Sequence, residues 1–61
     1  MTLVEKINWL NYKNVRFSIN TFYTGIFTAL IADPNGLEQF NAKTIEEIVD
    51  KVYEYGKTIR D

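Results

Sequence analysis

The chain has 61 residues, no cysteine, no histidine, and a formal charge of −1 from seven basic and eight acidic side chains. A chain this short buries only about 60% of the surface its unfolded form exposes, so it makes one core and no second domain. The absent residue types exclude a disulfide framework, the common zinc sites, and catalysis through a histidine base or cysteine nucleophile.

One Trp, four Tyr and four Phe supply large buried areas per residue, which is how so small a core can be built. The near-neutral charge provides no long-range field toward a phosphate backbone or an anionic membrane, so nucleic acid is a disfavoured partner. The longest apolar run, 25–32, falls far short of the ~20 residues of a membrane span, and no basic stretch precedes an apolar one at the N-terminus. A cytoplasmic protein with no cofactor and no metal is expected.

In chain order, residues 2–11 fit a short helix: Leu3, Ile7 and Leu10 recur at helical spacing, and Thr2 with Glu5 forms a capping box. A strand reading competes, with Leu3, Ile7 and Trp9 on one face, but it places Glu5 there too. Asn11-Tyr-Lys-Asn14 breaks the pattern. Residues 15–20 then alternate apolar and polar, which predicts a half-buried strand with Val15, Phe17 and Ile19 inward. A turn around Tyr23-Thr24-Gly25 leads to a second strand over 26–32, rich in β-formers and central in the sheet.

Asp33-Pro34-Asn35-Gly36 is the sharpest local signal, because Pro presets φ, Asn tolerates the next turn position and Gly accepts positive φ. It predicts a reversal into a third strand over 37–42, with Asp33 making an Asx turn to the backbone beyond it. Thr44-Ile-Glu-Glu47 reads as a second capping box, opening a helix whose apolar stripe is Ile45, Ile48, Val49, Val52 and Tyr55. Gly56 is a natural C-terminal cap, although Ile59 continues the stripe and a helix running past Gly56 is the alternative. The expected fold is α+β: a three-stranded antiparallel sheet with a C-terminal helix and a short N-terminal helix on one face, in the order α-β-β-β-α.

The sheet's other face carries the functional expectation. With Phe27, Ala29 and Ile31 inward, Ile26, Thr28 and Leu30 point outward beside Arg16, Ser18 and Asn20, leaving a partly apolar open surface of the kind that binds partners. Tyr23 and the sole tryptophan, Trp9, join them as candidate contact residues, Trp9 either as an exposed anchor or as a plug at the core edge. Lys6, Lys13 and Arg16 with Tyr12 and Tyr23 form the alternative, a modest basic and aromatic patch for nucleic acid. Glu46, Glu47 and Asp50 read as a solvated helix face favoured by the macrodipole, not as converging catalytic carboxylates, so the chain is not expected to be an enzyme.

From 25 to 55 the chain resembles small antitoxin-like domains of the HicB type, through Gly25-Ile-Phe-Thr-Ala-Leu-Ile-Ala-Asp-Pro-Asn-Gly36 and Ala42-Lys-Thr-Ile-Glu-Glu47. The resemblance implies strand, turn, strand and helix. The element order also resembles the double-stranded-RNA-binding domain, but where that family clusters lysines this chain has Lys43-Thr-Ile-Glu-Glu47, whose acids repel phosphate. In layout it is similar to small phage-encoded inhibitors such as some anti-CRISPR proteins. The expected function is a prokaryotic or phage accessory or regulatory module that binds a protein partner or itself, as a homodimer, through the outer sheet face. The alternative is nucleic-acid binding through the sheet, like the arm-binding domains of phage integrases.

Overall fold

In a computed structural model, which describes residues 1–34 and 36–60, the chain runs α1 (Leu3–Tyr12), β1 (Arg16–Tyr23), β2 (Ile26–Asp33), β3 (Gly36–Ala42) and α2 (Ile45–Arg60). The N-terminal segment is therefore a helix. Thr2 caps it: its hydroxyl accepts from the Glu5 amide at 3.1 Å, and Glu5 Oε1 accepts from the Thr2 amide at 2.8 Å. The helix ends in a Schellman motif. Asn14 takes φ +58°, Val15 N–H donates to the Leu10 carbonyl (2.9 Å) and Asn14 N–H to that of Asn11 (3.1 Å).

The three strands form one antiparallel sheet in sequence order, β1-β2-β3. β1 continues to Tyr23, past the expected end at Asn20, because a bulge between Asn20 and Tyr23 absorbs one extra residue before pairing resumes at Tyr23–Ile26. The first turn is thus Thr24-Gly25, with Gly25 at φ +80°. Asp33 pairs with Gly36, so the predicted reversal closes between them. The Asx turn expected of Asp33 involves the backbone at 35 and lies outside the described residues.

One face of the sheet meets the helices. Ala29 and Ile31 from β2, Ala42 from β3, and Ile48, Val49 and Val52 from α2 are fully or almost fully buried with Leu10 and Val15. Phe17, Ile19, Phe27 and Phe40 pack half-buried around them. The small side chains of Ala29 and Ala42 let α2 lie close over β2 and β3, while α1 lies alongside α2.

Gly56 corrects the expected cap. It sits buried inside α2, which runs on to Arg60, and an added Cβ would lie 2.7 Å from Leu10 Cδ2 and 3.7 Å from Trp9 Cζ3. The glycine is a site of close approach between the helices rather than a stop. The overall extents are 32 × 28 × 14 Å, and the short dimension is that of one sheet and one helical layer.

Candidate functional site: the outer face of the sheet

Register fixes which residues share the uncovered face. From one end to the other, the rows are Arg16–Ala32–Leu37, Ser18–Leu30–Gln39, Asn20–Thr28–Asn41 and, beyond the bulge, Tyr23–Ile26. The intervening rows, such as Ile19–Ala29–Phe40, point to the helices. Within the paired rows of the outer face Arg16 alone carries a charge, with Lys43 at the rim beside Ile26 and Asn41, in a chain with fifteen charged side chains. Charge is concentrated on the helical side and depleted from this one.

Large apolar groups stand out from the face: Leu37 and Tyr23 are each 71% exposed, Phe22 65% and Ile26 38%. The bulge makes this cluster. Strict alternation from Asn20 would turn Tyr23 inward, and the extra residue returns it to the outer side opposite Ile26. Phe22, Tyr23, Ile26, Thr28, Gln39 and Asn41 line a hollow of about 490 Å³ at this end. Its buried hydroxyl is paired within the chain: Thr28, 4% exposed, donates to Asn41 Oδ1 at 3.0 Å. Nearby, Asn20 Nδ2 donates to Ser18 Oγ at 3.4 Å.

Of the seven predicted contact residues, six share this face: Arg16, Ser18, Tyr23, Ile26, Thr28 and Leu30. Trp9 does not. It lies half-buried in the seam between the helices, its ring edge-on to Tyr53 at 5.2 Å and 74°. Leu37, Gln39 and Asn41 belong to the face and were missed. The missing signal was the register of β3, which the Asp33 to Gly36 turn could have supplied by counting back from it.

The proposed basic patch is not gathered in one place. Lys6 pairs with Asp50 of α2, and this hydrogen bond raises the lysine's pKa. Lys13 lies 5.9 Å from the Trp9 ring centroid and 5.8 Å from that of Tyr12, at the end of α1. Only Arg16 is on the sheet face. Asp50, one of the three carboxylates expected on a solvated helix face, is thereby committed to the seam.

On the helical side, Tyr55 donates its hydroxyl to the Asp33 carboxylate, tying α2 to the end of β2. That bond, then burial and the charges of Asp33 and Glu38, pushes the phenol up to about 12. Beside it, a second hollow of about 550 Å³ lies over Phe40 and Tyr55, with Lys51 and Glu54 on its rim. Lys51 already donates to the Asn41 carbonyl at 2.7 Å.

No helix of the described residues is long and apolar enough to cross a membrane. The architecture is that of a two-layer α+β domain with one open sheet face. Comparison with protein-family models, curated proteins and solved structures gave no match to this chain.

Proposed function

We propose that this chain is a non-enzymatic protein-interaction module, of the prokaryotic or phage accessory and regulatory kind, acting through the outer face of its sheet. The observation that carries the reading is the face's composition. A solvated surface in a chain one-quarter charged should be strewn with charge, yet the rows of this one present Tyr, Phe, Leu, Ile and amides with a single Arg, and Lys43 at the rim. Depletion of charge with enrichment of aromatics and Arg marks the centre of protein interfaces. Arg16 on the face and Lys43 at its rim are too few cations to hold a phosphate backbone, where each contact adds to both affinity and salt dependence. The resemblance of 25–55 to antitoxin-like domains supports the same class.

The test is site-specific photo-cross-linking in producing cells. Benzoylphenylalanine at position 30, on the sheet, should give discrete protein adducts, and at position 47, on the exposed side of α2, none. Equal patterns at both positions, or none at either, would refute the reading.

A further inference from the structure

We infer that the free edge of β1 takes a fourth strand: an extended peptide segment, antiparallel to β1 and tucked beneath α1, with apolar side chains at alternate positions. This edge is a different surface from the outer face, and its occupation does not depend on the reading above.

The backbone ladder leaves the edge open. Both turns are two residues long, so Tyr23–Ile26 and Asp33–Gly36 are hydrogen-bonded pairs, and such pairs alternate along an antiparallel ladder. Counting back from them, Arg16, Ser18 and Asn20 bond to β2, while Phe17 and Ile19 aim their N–H and C=O groups away from it. Lys51 bears out the same count on β3, because the Asn41 carbonyl it reaches is one that points away from β2. Among the described residues, nothing bonds the outward groups of Phe17 and Ile19.

The two edges of the sheet differ. β3 is blunted, since Lys51 caps the Asn41 carbonyl and Glu38 sets a charge on the helical side. On β1, between Arg16 and the bulge, Phe17-Ser-Ile-Asn20 carries no charge and no proline.

The helical layer decides what fits. α2 is held over β2 and β3, its Lys51 and Tyr55 flank reaching Asn41 and Phe40. The other flank, Tyr53 and Gly56, meets Trp9 and Leu10, so α1 lies on the β1 side. Two helices side by side are ~20 Å wide, whereas three strands span only ~14 Å and four span ~19 Å. The helical layer is thus one strand wider than the sheet, and the excess lies over the edge of β1. Leu3 and Ile7 of α1, and Phe17 and Ile19 of β1, are only half-buried there.

A single strand with two inward apolar side chains covers these groups and bonds the outward N–H and C=O of Phe17 and Ile19. A second copy does not fit, because a sheet continued through its β1 would bring its α1 to the place this α1 occupies. Antiparallel pairing is the more stable per residue. Arg16 and Arg60 border one hollow at the start of β1, so an acid on the segment opposite Arg16 makes a favourable cross-strand pair.

The experiment titrates the isotope-labelled full chain with the peptide Ac-Thr-Val-Thr-Val-Glu-NH2, read by amide NMR. Antiparallel to β1, this probe sets its valines against Ile19 and Phe17 and its Glu against Arg16. The Phe17 and Ile19 amide protons should move downfield, and an affinity of ~100 µM slows their exchange with solvent ~10-fold at ~1 mM peptide. The same peptide N-methylated at both valines loses the donors of the new ladder and should leave both signals unchanged.

No shift at ~1 mM, or equal shifts with the N-methylated peptide, would overturn the fourth strand. Shifts at the Leu37, Gln39 and Asn41 amides instead would overturn the choice of edge. Tighter binding of the reversed sequence, Glu-Val-Thr-Val-Thr, would overturn the direction. The adducts at position 30 test the outer face separately, so failure of one surface leaves the other standing.

Discussion

Replacing Gly56 by alanine sets two opposed effects against each other at one atom. In a helix interior Gly→Ala ordinarily stabilises by about 1 kcal/mol, because glycine gives up more backbone freedom on folding. Here the new Cβ would sit 2.7 Å from Leu10 Cδ2 and 3.5 Å from Val15 Cγ2, against side chains that are almost wholly buried. Relieving such overpacking in a filled core costs ~1–3 kcal/mol. The balance is a net loss of about 1 kcal/mol.

In a urea titration that loss lowers the midpoint by roughly 1 M. Trp9 reports it directly, as the single tryptophan and a resident of the seam. The decisive measurement is the same substitution in a Leu10→Val background, where the clashing methyl is gone. There Gly56→Ala should become stabilising, with a coupling of ~1–2 kcal/mol between the sites. If Gly56→Ala stabilises the unaltered chain by the full helix-propensity gain, or if Leu10→Val leaves its effect unchanged, the close-approach account fails.

Three further outcomes follow from local features. Thr2→Ala and Thr44→Ala should each cost about 1 kcal/mol in urea titrations, since Thr44 Oγ1 accepts from the Glu47 amide at 3.1 Å as Thr2 does from Glu5. Asn14→Val should cost ~1–2 kcal/mol while Asn14→Gly costs nothing, because φ +58° is strained for a β-branched residue and free for glycine. Tyr55 has a folded-state pKa near 12, above its unfolded value of about 10. Its contribution to stability is therefore complete below pH ~10 and is lost as pH rises to 12. Thermal midpoints measured across that window should fall less steeply in Tyr55→Phe, and an absorbance titration of the native chain should show one tyrosine ionising last.

Where a signal was local, sequence and structure agree. Thr2 with Glu5 and Asp33 to Gly36 stand where their spacing put them, and of the second expected capping box the Thr44 hydroxyl accepting from the Glu47 amide is in place. The alternation of Phe17 and Ile19 likewise survives, because a one-residue slip would turn both rings of contacts to water. The departures are tertiary. Thr21-Phe-Tyr23 has no period-two pattern to announce a strand, and it is the partner β2 that extends pairing across the bulge.

Gly56 carries the residue type of a cap, but its helix continues because the packing of Leu10 against it outweighs the local preference. Trp9 could not be placed without knowing which side of α1 meets Tyr53. The outer face was legible for β1 and β2 from alternation alone. Its want of charge became visible only when register added Leu37, Gln39 and Asn41 to the same surface.

The strand order has a kinetic consequence. Each strand pairs with the next through a turn only two residues long, so both hairpins close small loops and their entropic cost is low. The helical seam is different: Lys6 reaches Asp50, and Leu10 reaches Gly56, across most of the chain. The hairpins should therefore be formed in the folding transition state and the seam completed after it. Substitutions at Gly25 or Gly36 will then mainly slow folding, and those at Leu10 or Gly56 mainly speed unfolding, so the lifetime of the native chain is set at the junction of its two ends.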